Sequence, residues 1–407
     1  MRQYDIVLFG ATSFVGEILT GYMLEKYPVD GELKWAIAGR SESKLAQLRT
    51  SFGTAATSLP SIVADTGDSA SIDALVGATK VIISTVGPYA LYGEPVVKSC
   101  VSQGTDYCDL TGEPQWIKKM VDCYEGAAKI SGARIVHSCG FDSIPSDVGV
   151  HFLQEKAKHR FGQYCSTVKM RVKNIKGAAS GGTVASMMNM IKEATKDKEL
   201  RKLLVNPYAL CPPGHPFKKK QTDLKTIAYD KDMQAWVAPF VMAAINIRIV
   251  HRTNSLLGNA YGENFLYDEA MITGKSILGG MGAAAFSAGM GGFMLAAAIP
   301  PSRWLMEKTI LPKPGQGPSP KAQLEGHYDL RFVGKTDDGQ EIRCKVTGDR
   351  DPGYGSTAKM LGQAAVCLVE DITKQDKAGG FWTPASIFGD KIIDRLEKHA
   401  GLSFSEE

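Results

Sequence analysis

The sequence predicts an α/β protein whose first 150 residues form a doubly wound parallel sheet. Three observations predict it: a strand–glycine turn–helix signature at the N-terminus, alternating strand and helix patterns, and chemically rich loops after each apolar run. The signature comes first. Residues 4–9 are an apolar run that leads into Gly10-Ala11-Thr12-Ser13-Phe14-Val15-Gly16, after which Val15, Ile18, Leu19, Tyr22 and Met23 recur at helical spacing. Strand, tight turn and helix in that order converge free backbone N–H groups and a positive helix end on one point, which suits a pyrophosphate. Gly10 permits the turn and Gly16 lets the helix approach the strand. Ser13 stands where a third glycine is usual and adds a hydroxyl donor.

The alternation continues with strands at 33–38, 61–64, 80–84, 106–110 and 134–137, and helices at 41–49, 93–103 and 115–131, with a helical stretch between 64 and 80. Right-handed crossovers between such strands give the Rossmann arrangement, with ligands beyond the carboxyl ends of the strands. After the second strand comes Gly39-Arg40-Ser41-Glu42-Ser43-Lys44. An NAD-type site places a carboxylate there for the ribose 2′-hydroxyl. This chain offers Arg40, Ser41 and Lys44 instead, which favours the 2′-phosphate of NADP(H). After the fourth strand, Thr85-Val86-Gly87-Pro88 is small enough to let a nicotinamide ribose cross the strand end. Tyr89 follows and is the first candidate for a catalytic donor, with packing against the cofactor as its other reading. His137 and Asp142, at and beyond the sixth strand, are further candidates. A strand-end histidine is also an ordinary core residue, and Asp142 and Asp147 also suit turn and cap bonding.

Beyond 151 the pattern changes, and 407 residues accommodate two domains. A strand is expected at 166–174, a helix at 184–192 and a loop at 208–225 with three prolines. A mostly apolar stretch at 236–257 carries Arg248, His251 and Arg252. A hairpin is expected at 326–333 and 341–347 around Asp337-Asp338-Gly339, then a helix from Gly353-Tyr354-Gly355-Ser356-Thr357 to 369. Residues 276–302 carry no charge and are rich in glycine and alanine. They are long enough to cross a bilayer. They read equally as a membrane-inserted or interfacial segment, a buried helix pair, or the wall of an apolar channel.

A net charge of +4 with both signs interspersed gives no nucleic-acid footprint; Lys218-Lys219-Lys220 reads as a solvated loop. Eight scattered cysteines form no Cys-x-x-Cys pair, so reduced thiols, no metal centre and a cytoplasmic setting are expected. A strand this near the N-terminus leaves no room for a cleavable signal.

These pieces together resemble the saccharopine dehydrogenase-like oxidoreductases, in particular the trans-acting enoyl reductase branch. The matching residues are Gly10 to Gly16, Ala38-Gly39-Arg40, Gly87-Pro88-Tyr89, Asp109-Leu110-Thr111-Gly112-Glu113, Gly140-Phe141-Asp142-Ser143-Ile144-Pro145-Ser146-Asp147 and Asp351-Pro352-Gly353-Tyr354. The resemblance implies a nucleotide domain at 1–150, an inserted α+β domain at 151–350 and C-terminal helices at 351–407 returning to the first domain. It leaves the substrate open. A middle domain heavy in Met, Ala and Gly suits an apolar or lipid-like substrate, hence reduction of a polarised double bond by NADPH. The alternatives are an amino-acid dehydrogenase of the saccharopine type, with Arg248 and Arg252 as its basic pocket, and a non-catalytic NADP-binding scaffold at membranes or lipid droplets. A homodimer and peripheral membrane contact through 276–302 complete the expectations.

Overall fold

A computed structural model describes residues 2–177, 181–222, 224, 226–309, 311 and 317–407. The chain opens as β1 (Tyr4–Phe9), α1 (Phe14–Lys26), β2 (Trp35–Gly39), α2 (Glu42–Ser51), β3 (Ser61–Val63), α3 (Ser69–Gly77), β4 (Thr79–Ser84), α4 (Tyr89–Tyr92), α5 (Glu94–Gln103), β5 (Asp106–Asp109), α6 (Pro114–Ser131) and β6 (Arg134–Val136). It continues through α7 (Ile144–Phe161), β7 (Thr167–Lys176), α8 (Gly181–Lys196), α9 (Lys198–Val205), β8 (Ala228–Asp230), β9 (Ala235–Pro239), α10 (Ala243–Leu256) and β10 (Leu266–Gly274). Then come α11 (Ile277–Ala298), α12 (Pro300–Thr309), α13 (Pro320–Glu325), β11 (His327–Lys335) and β12 (Glu341–Gly348). The C-terminal part is α14 (Thr357–Glu370), β13 (Gly380–Trp382), α15 (Pro384–Phe388), α16 (Asp390–Arg395) and β14 (Leu402–Glu406).

Two compact units result. The first comprises 1–142, 315–317 and 353–401, and the second 143–314, 318–352 and 402–407. In the first, seven strands lie in the order β13-β6-β5-β4-β1-β2-β3, every pair parallel. The order reverses between β1 and β4, which opens the crevice where doubly wound sheets take their ligands. Ile6–Phe9, Trp35–Ala38 and Val81–Ile83 are buried continuous apolar runs, as strands covered on both faces must be. Helix α14 packs on α1, β1, β4 and β5, burying Met360, Leu361, Ala364, Ala365 and Leu368, the face expected from its spacing.

The second unit holds a mixed sheet in the order β14-β12-β11-β7-β10-β9-β8, parallel only between β7 and β10. Helix α7 covers β11 and β12; Gly149 lies so close to the Phe332 ring that a Cβ would meet it at 2.5 Å. The 327–348 hairpin is present, its turn closed by Gly339 at a φ of +87°.

Several element expectations need correction. The apolar stretch 236–257 is a strand and a helix, because the chain turns after Pro239. Strand two starts at Trp35 rather than 33, and β7 extends to Lys176. Residues 276–302 are not a buried helix pair: one helix runs to Ala298 and Pro300 opens another, and only 11% of its most apolar window is buried. Strands β13 and β14, not expected from the sequence, take their places by pairing with β6 and β12. Positions 223 and 225 of the expected 208–225 loop lie outside the described residues.

Candidate functional site

In the first unit the loops after β1, β2, β4, β5 and β6 meet at the carboxyl edge of the sheet. Gly10 takes a φ of +90°, and a Cβ there would come within 2.6 Å of Thr85 Oγ1 and 2.8 Å of Val86 Cγ2. A Cβ on Gly16 would overlap the Gly10 carbonyl oxygen, so the first turn of α1 can lie against the β1 loop only with glycine there. Ser13 is the N-cap of α1: its Oγ accepts from the Gly16 amide (3.0 Å) and shares a hydrogen bond with Thr85 Oγ1 (2.9 Å). Thr85 Oγ1 also reaches the Gly10 carbonyl (2.9 Å). Ser13 therefore replaces the usual glycine as a cap that ties the β1 and β4 loops together. Ala11 is fully buried, Thr12 reaches towards Gly39, and Phe14 meets the Tyr354 ring edge-on at 5.0 Å. Val15 completes the first turn of α1, whose amides have no acceptors of their own within the helix.

At the end of β2, Gly39 is buried and Arg40 is exposed. Ser41 caps α2, its Oγ accepting from the Lys44 amide at 3.3 Å. Among the described residues no carboxylate or carbonyl engages the Arg40 guanidinium. The exposed Lys44 stands one turn into α2. Arg40, Ser41 and Lys44 thus stand at the β2–α2 junction with the exposed Glu42 among them, and the two cations are the groups that suit a phosphate. The cradle fits a dinucleotide diphosphate at Gly10–Gly16, and Arg40 fits a 2′-phosphate.

The three catalytic candidates separate clearly. Tyr89, just past Val86, Gly87 and Pro88, is buried; its hydroxyl donates to the Ser84 carbonyl (2.9 Å) and its ring packs on Trp116. Burial pushes its pKa well up. Its amide and that of Ala90 are both held by the Glu113 carboxylate at 2.9 Å, which fixes the start of α4. His137 is likewise interior. Its Nδ1 lies 2.7 Å from Asp109 Oδ2, and its ring is enclosed by Tyr107, Trp116 and Phe381. Asp109 Oδ1 accepts from the amides of Thr111 and Ser138, so this carboxylate fastens the β5 loop to the β6 loop. Tyr89 and His137 are struts of the site.

Asp142 differs. It is half-buried, and its carboxylate is slotted between two glycines. A Cβ on Gly112 would come within 3.2 Å of Oδ1, and one on Gly140 within 3.2 Å of Oδ2. Burial, and secondarily the charge of Asp109, push its pKa up to about 7, against its own backbone amide. The neighbouring Phe141 amide donates to Thr357 Oγ1 (2.9 Å) at the head of α14. Asp142 is thus a carboxyl at the strand-end edge whose pKa burial pushes up to about 7.

Asp147, by contrast, accepts from Thr253 Oγ1 (2.6 Å) inside the second unit and joins α7 to α10. Arg248 donates to the Ala244 and Leu204 carbonyls and Arg252 to the Leu210 carbonyl. Both reach backbone carbonyls of the second unit. Among the described residues no cluster of His, Cys, Asp and Glu could hold a metal.

Sequence reasoning quoted Glu113 and Tyr354 only as matching residues, with no role, and did not mark Thr357 as a site-builder. Glu113 stands directly before Pro114 in the Thr-Gly-Glu run, and its target amides are two dozen residues away. Thr357 and Tyr354 meet the site from beyond the second unit, which no local pattern reveals.

The family model described as the saccharopine dehydrogenase NADP binding domain matches residues 6–136. A Mycobacterium tuberculosis protein provisionally named a trans-acting enoyl reductase is 37% identical over 412 aligned positions, covering 99% of this chain and 97% of that protein. The trans-acting enoyl reductase of Mycobacterium ulcerans is 36% identical over 97% of this chain and 96% of its own. Among solved structures, apo saccharopine dehydrogenase (L-Glu forming) from Saccharomyces cerevisiae shares the fold at a TM-score of 0.55 and 11% identity, with 99% of each chain covered.

Proposed function

The chain belongs to the trans-acting enoyl reductase branch of the saccharopine dehydrogenase-like oxidoreductases, whose NADP-binding domain it carries, and we propose that it uses NADPH to reduce a polarised double bond in an apolar, acyl- or lipid-linked substrate. The observation that carries the reading is the Asp142 carboxyl, walled by Gly112 and Gly140 on the same sheet edge as the dinucleotide cradle, with burial pushing its pKa up to about 7.

When bound, the cofactor would supply the hydride, to the carbon β to the substrate carbonyl. The protein's own residues do the rest. Gly10 and Gly16 let the first-turn amides of α1 approach a diphosphate, with the Ser13 hydroxyl alongside. Arg40 and Lys44 supply charge for a 2′-phosphate, with the Ser41 hydroxyl beside them. Thr85 to Pro88 would hold the nicotinamide ribose end of the cofactor. Asp142 gives its proton to the substrate α carbon, where the electron pair of the former double bond ends up, and is reprotonated from solvent. Tyr89 and His137 keep the loops carrying these groups in place. The amino-acid dehydrogenase alternative would need Arg248 and Arg252 as carboxylate anchors, and both donate to backbone carbonyls.

The test is NADPH consumption by the purified full chain with 2-enoyl thioesters of short, medium and long acyl chains. Turnover rising with chain length is expected, and Asp142→Asn should lower kcat by about 10²–10⁴-fold while NADPH affinity stays put. Tight NADPH binding with no turnover on any thioester would favour the scaffold alternative instead.

A further inference from the structure

Helix α11 of the second unit is 22 residues long, and between Ala270 and Met306 the only charged residues are Lys275 and Arg303. Both are basic, and they bracket the helix. It is anchored by small residues at both ends. Near its start a Cβ on Gly279 would strike Gly274 at the end of β10, and one on Gly280 would meet the Trp236 ring at 3.0 Å. At its far end Ala297 is fully buried in a cluster with Val184, Met188 and Ile191 of α8. Wound at about 100° per residue, Gly279, Ala283 and Ala297 make one face, and Ile277, Met281, Leu295 and Ile299 lie on the opposite one. That opposite face is open: Ile277 is 82% exposed, Leu278 76%, Met281 63% and Leu295 64%. Just beyond, Trp304 is 60% exposed with Lys308 Nζ 4.9 Å from its ring.

We propose that α11 is an interfacial anchor by which the protein lies on an anionic lipid surface. Three features select lipid over a second protein. The apolar face is framed by Lys275 and Arg303 with no acid between them, which complements anionic headgroups. An exposed tryptophan beside a lysine suits the headgroup boundary, where an amphipathic ring is satisfied on both sides. The helix also contains six glycines, of which Gly282, Gly289, Gly291 and Gly292 have open space where a side chain would be. Such a helix is weak in water, where its bare backbone competes for solvent hydrogen bonds, and firm where lipid removes that competition. At roughly 33 Å the helix is long enough to cross a bilayer. It lies flat instead, because crossing would strip Gly279 from β10 or Ala297 from α8. The anchor would also place an enzyme for apolar substrates at their source, although the lipid assignment does not depend on the proposed reaction.

The test is co-flotation of the full chain with phosphatidylcholine vesicles and with equimolar phosphatidylcholine–phosphatidylglycerol vesicles, alongside hydrogen exchange of α11 and an NADPH titration on each preparation. The wild type should float with the anionic vesicles, detach as salt is raised, and gain exchange protection over α11 only with lipid. A Leu278→Asp, Leu295→Asp double variant alters exposed positions and should fold normally. It should weaken partitioning by roughly tenfold or more. A Lys275→Glu, Arg303→Glu variant should lose the preference for anionic vesicles. Failure to float with either vesicle while NADPH still binds overturns the anchor and leaves the reductase reading standing. Unchanged flotation of the aspartate variant, or a stable dimer that protects α11 without lipid, overturns it as well. Loss of NADPH binding with flotation intact would count against the reductase reading alone.

Discussion

Asp142 shows how one side chain couples the site to stability. Its pKa lies near 7 in the fold against an ordinary carboxylate value of 3.8, so the fold favours the neutral form. That contribution is complete below the unfolded value and is lost as pH rises through about 7. Asp142→Asn should therefore be more stable than the wild type, with an advantage that grows by about 2–3 kcal/mol between about pH 5 and about pH 9. Denaturant titrations at the two pH values read this directly, and a pH-independent difference would refute the assigned titration. The same titration should appear in turnover, with activity falling as pH rises through about 7. Arg40 makes a different prediction. Its guanidinium has no partner among the described residues, so Arg40→Ala should leave folding alone and weaken NADPH binding by about 1–3 kcal/mol, with NADH barely changed. Calorimetry with both nucleotides separates that outcome from an equal loss.

At the scale of elements, the β1–α1 junction is where sequence and geometry agree most closely. The two glycines expected to shape it are the two whose Cβ atoms would collide with the Thr85 side chain and the Gly10 carbonyl. Gly16→Ala should lower stability by about 1–3 kcal/mol and weaken NADPH binding, as thermal melts with and without nucleotide will show. Ser13→Ala should cost about 1 kcal/mol through the lost cap, and Ser13→Gly much less. The six core strands and most helices of the first unit were legible because parallel strands are continuous apolar runs separated by glycine turns. Three kinds of feature were not. Tyr89 looks like a donor in sequence because its neighbourhood is right, and only the Ser84 carbonyl reveals that its hydroxyl is committed. The slot around Asp142 joins two loops 28 residues apart, Gly112 to Gly140, and periodicity carries no such pairing. Strand β13 has three residues and owes its place to β6 rather than to its own pattern.

At the scale of the whole molecule, the chain leaves the first unit at 142, touches it briefly at 315–317, returns at 353 and leaves again at 401. The nucleotide-binding unit is therefore finished by residues made last. Helix α14 brings Met360, Leu361, Ala364 and Ala365 fully buried, and β13 closes the edge beside β6. Residues 1–150 expressed alone lack both and leave the faces of α1, β4 and β5 uncovered. Such a fragment should unfold without a cooperative transition and bind dyes that seek exposed apolar surface, whereas the full chain melts sharply. A cooperative, NADPH-binding fragment would show that the C-terminal return is dispensable. The proposed reaction is hydride delivery from NADPH to an enoyl carbon. It is tested most directly with NADPH dideuterated at the nicotinamide C4 carbon and a long-chain 2-enoyl thioester, followed by mass and NMR analysis of the product. Deuterium on the carbon β to the carbonyl, with a solvent proton at the α carbon, is the predicted result; a thioester recovered unreduced beside bound, unoxidised NADPH would contradict it.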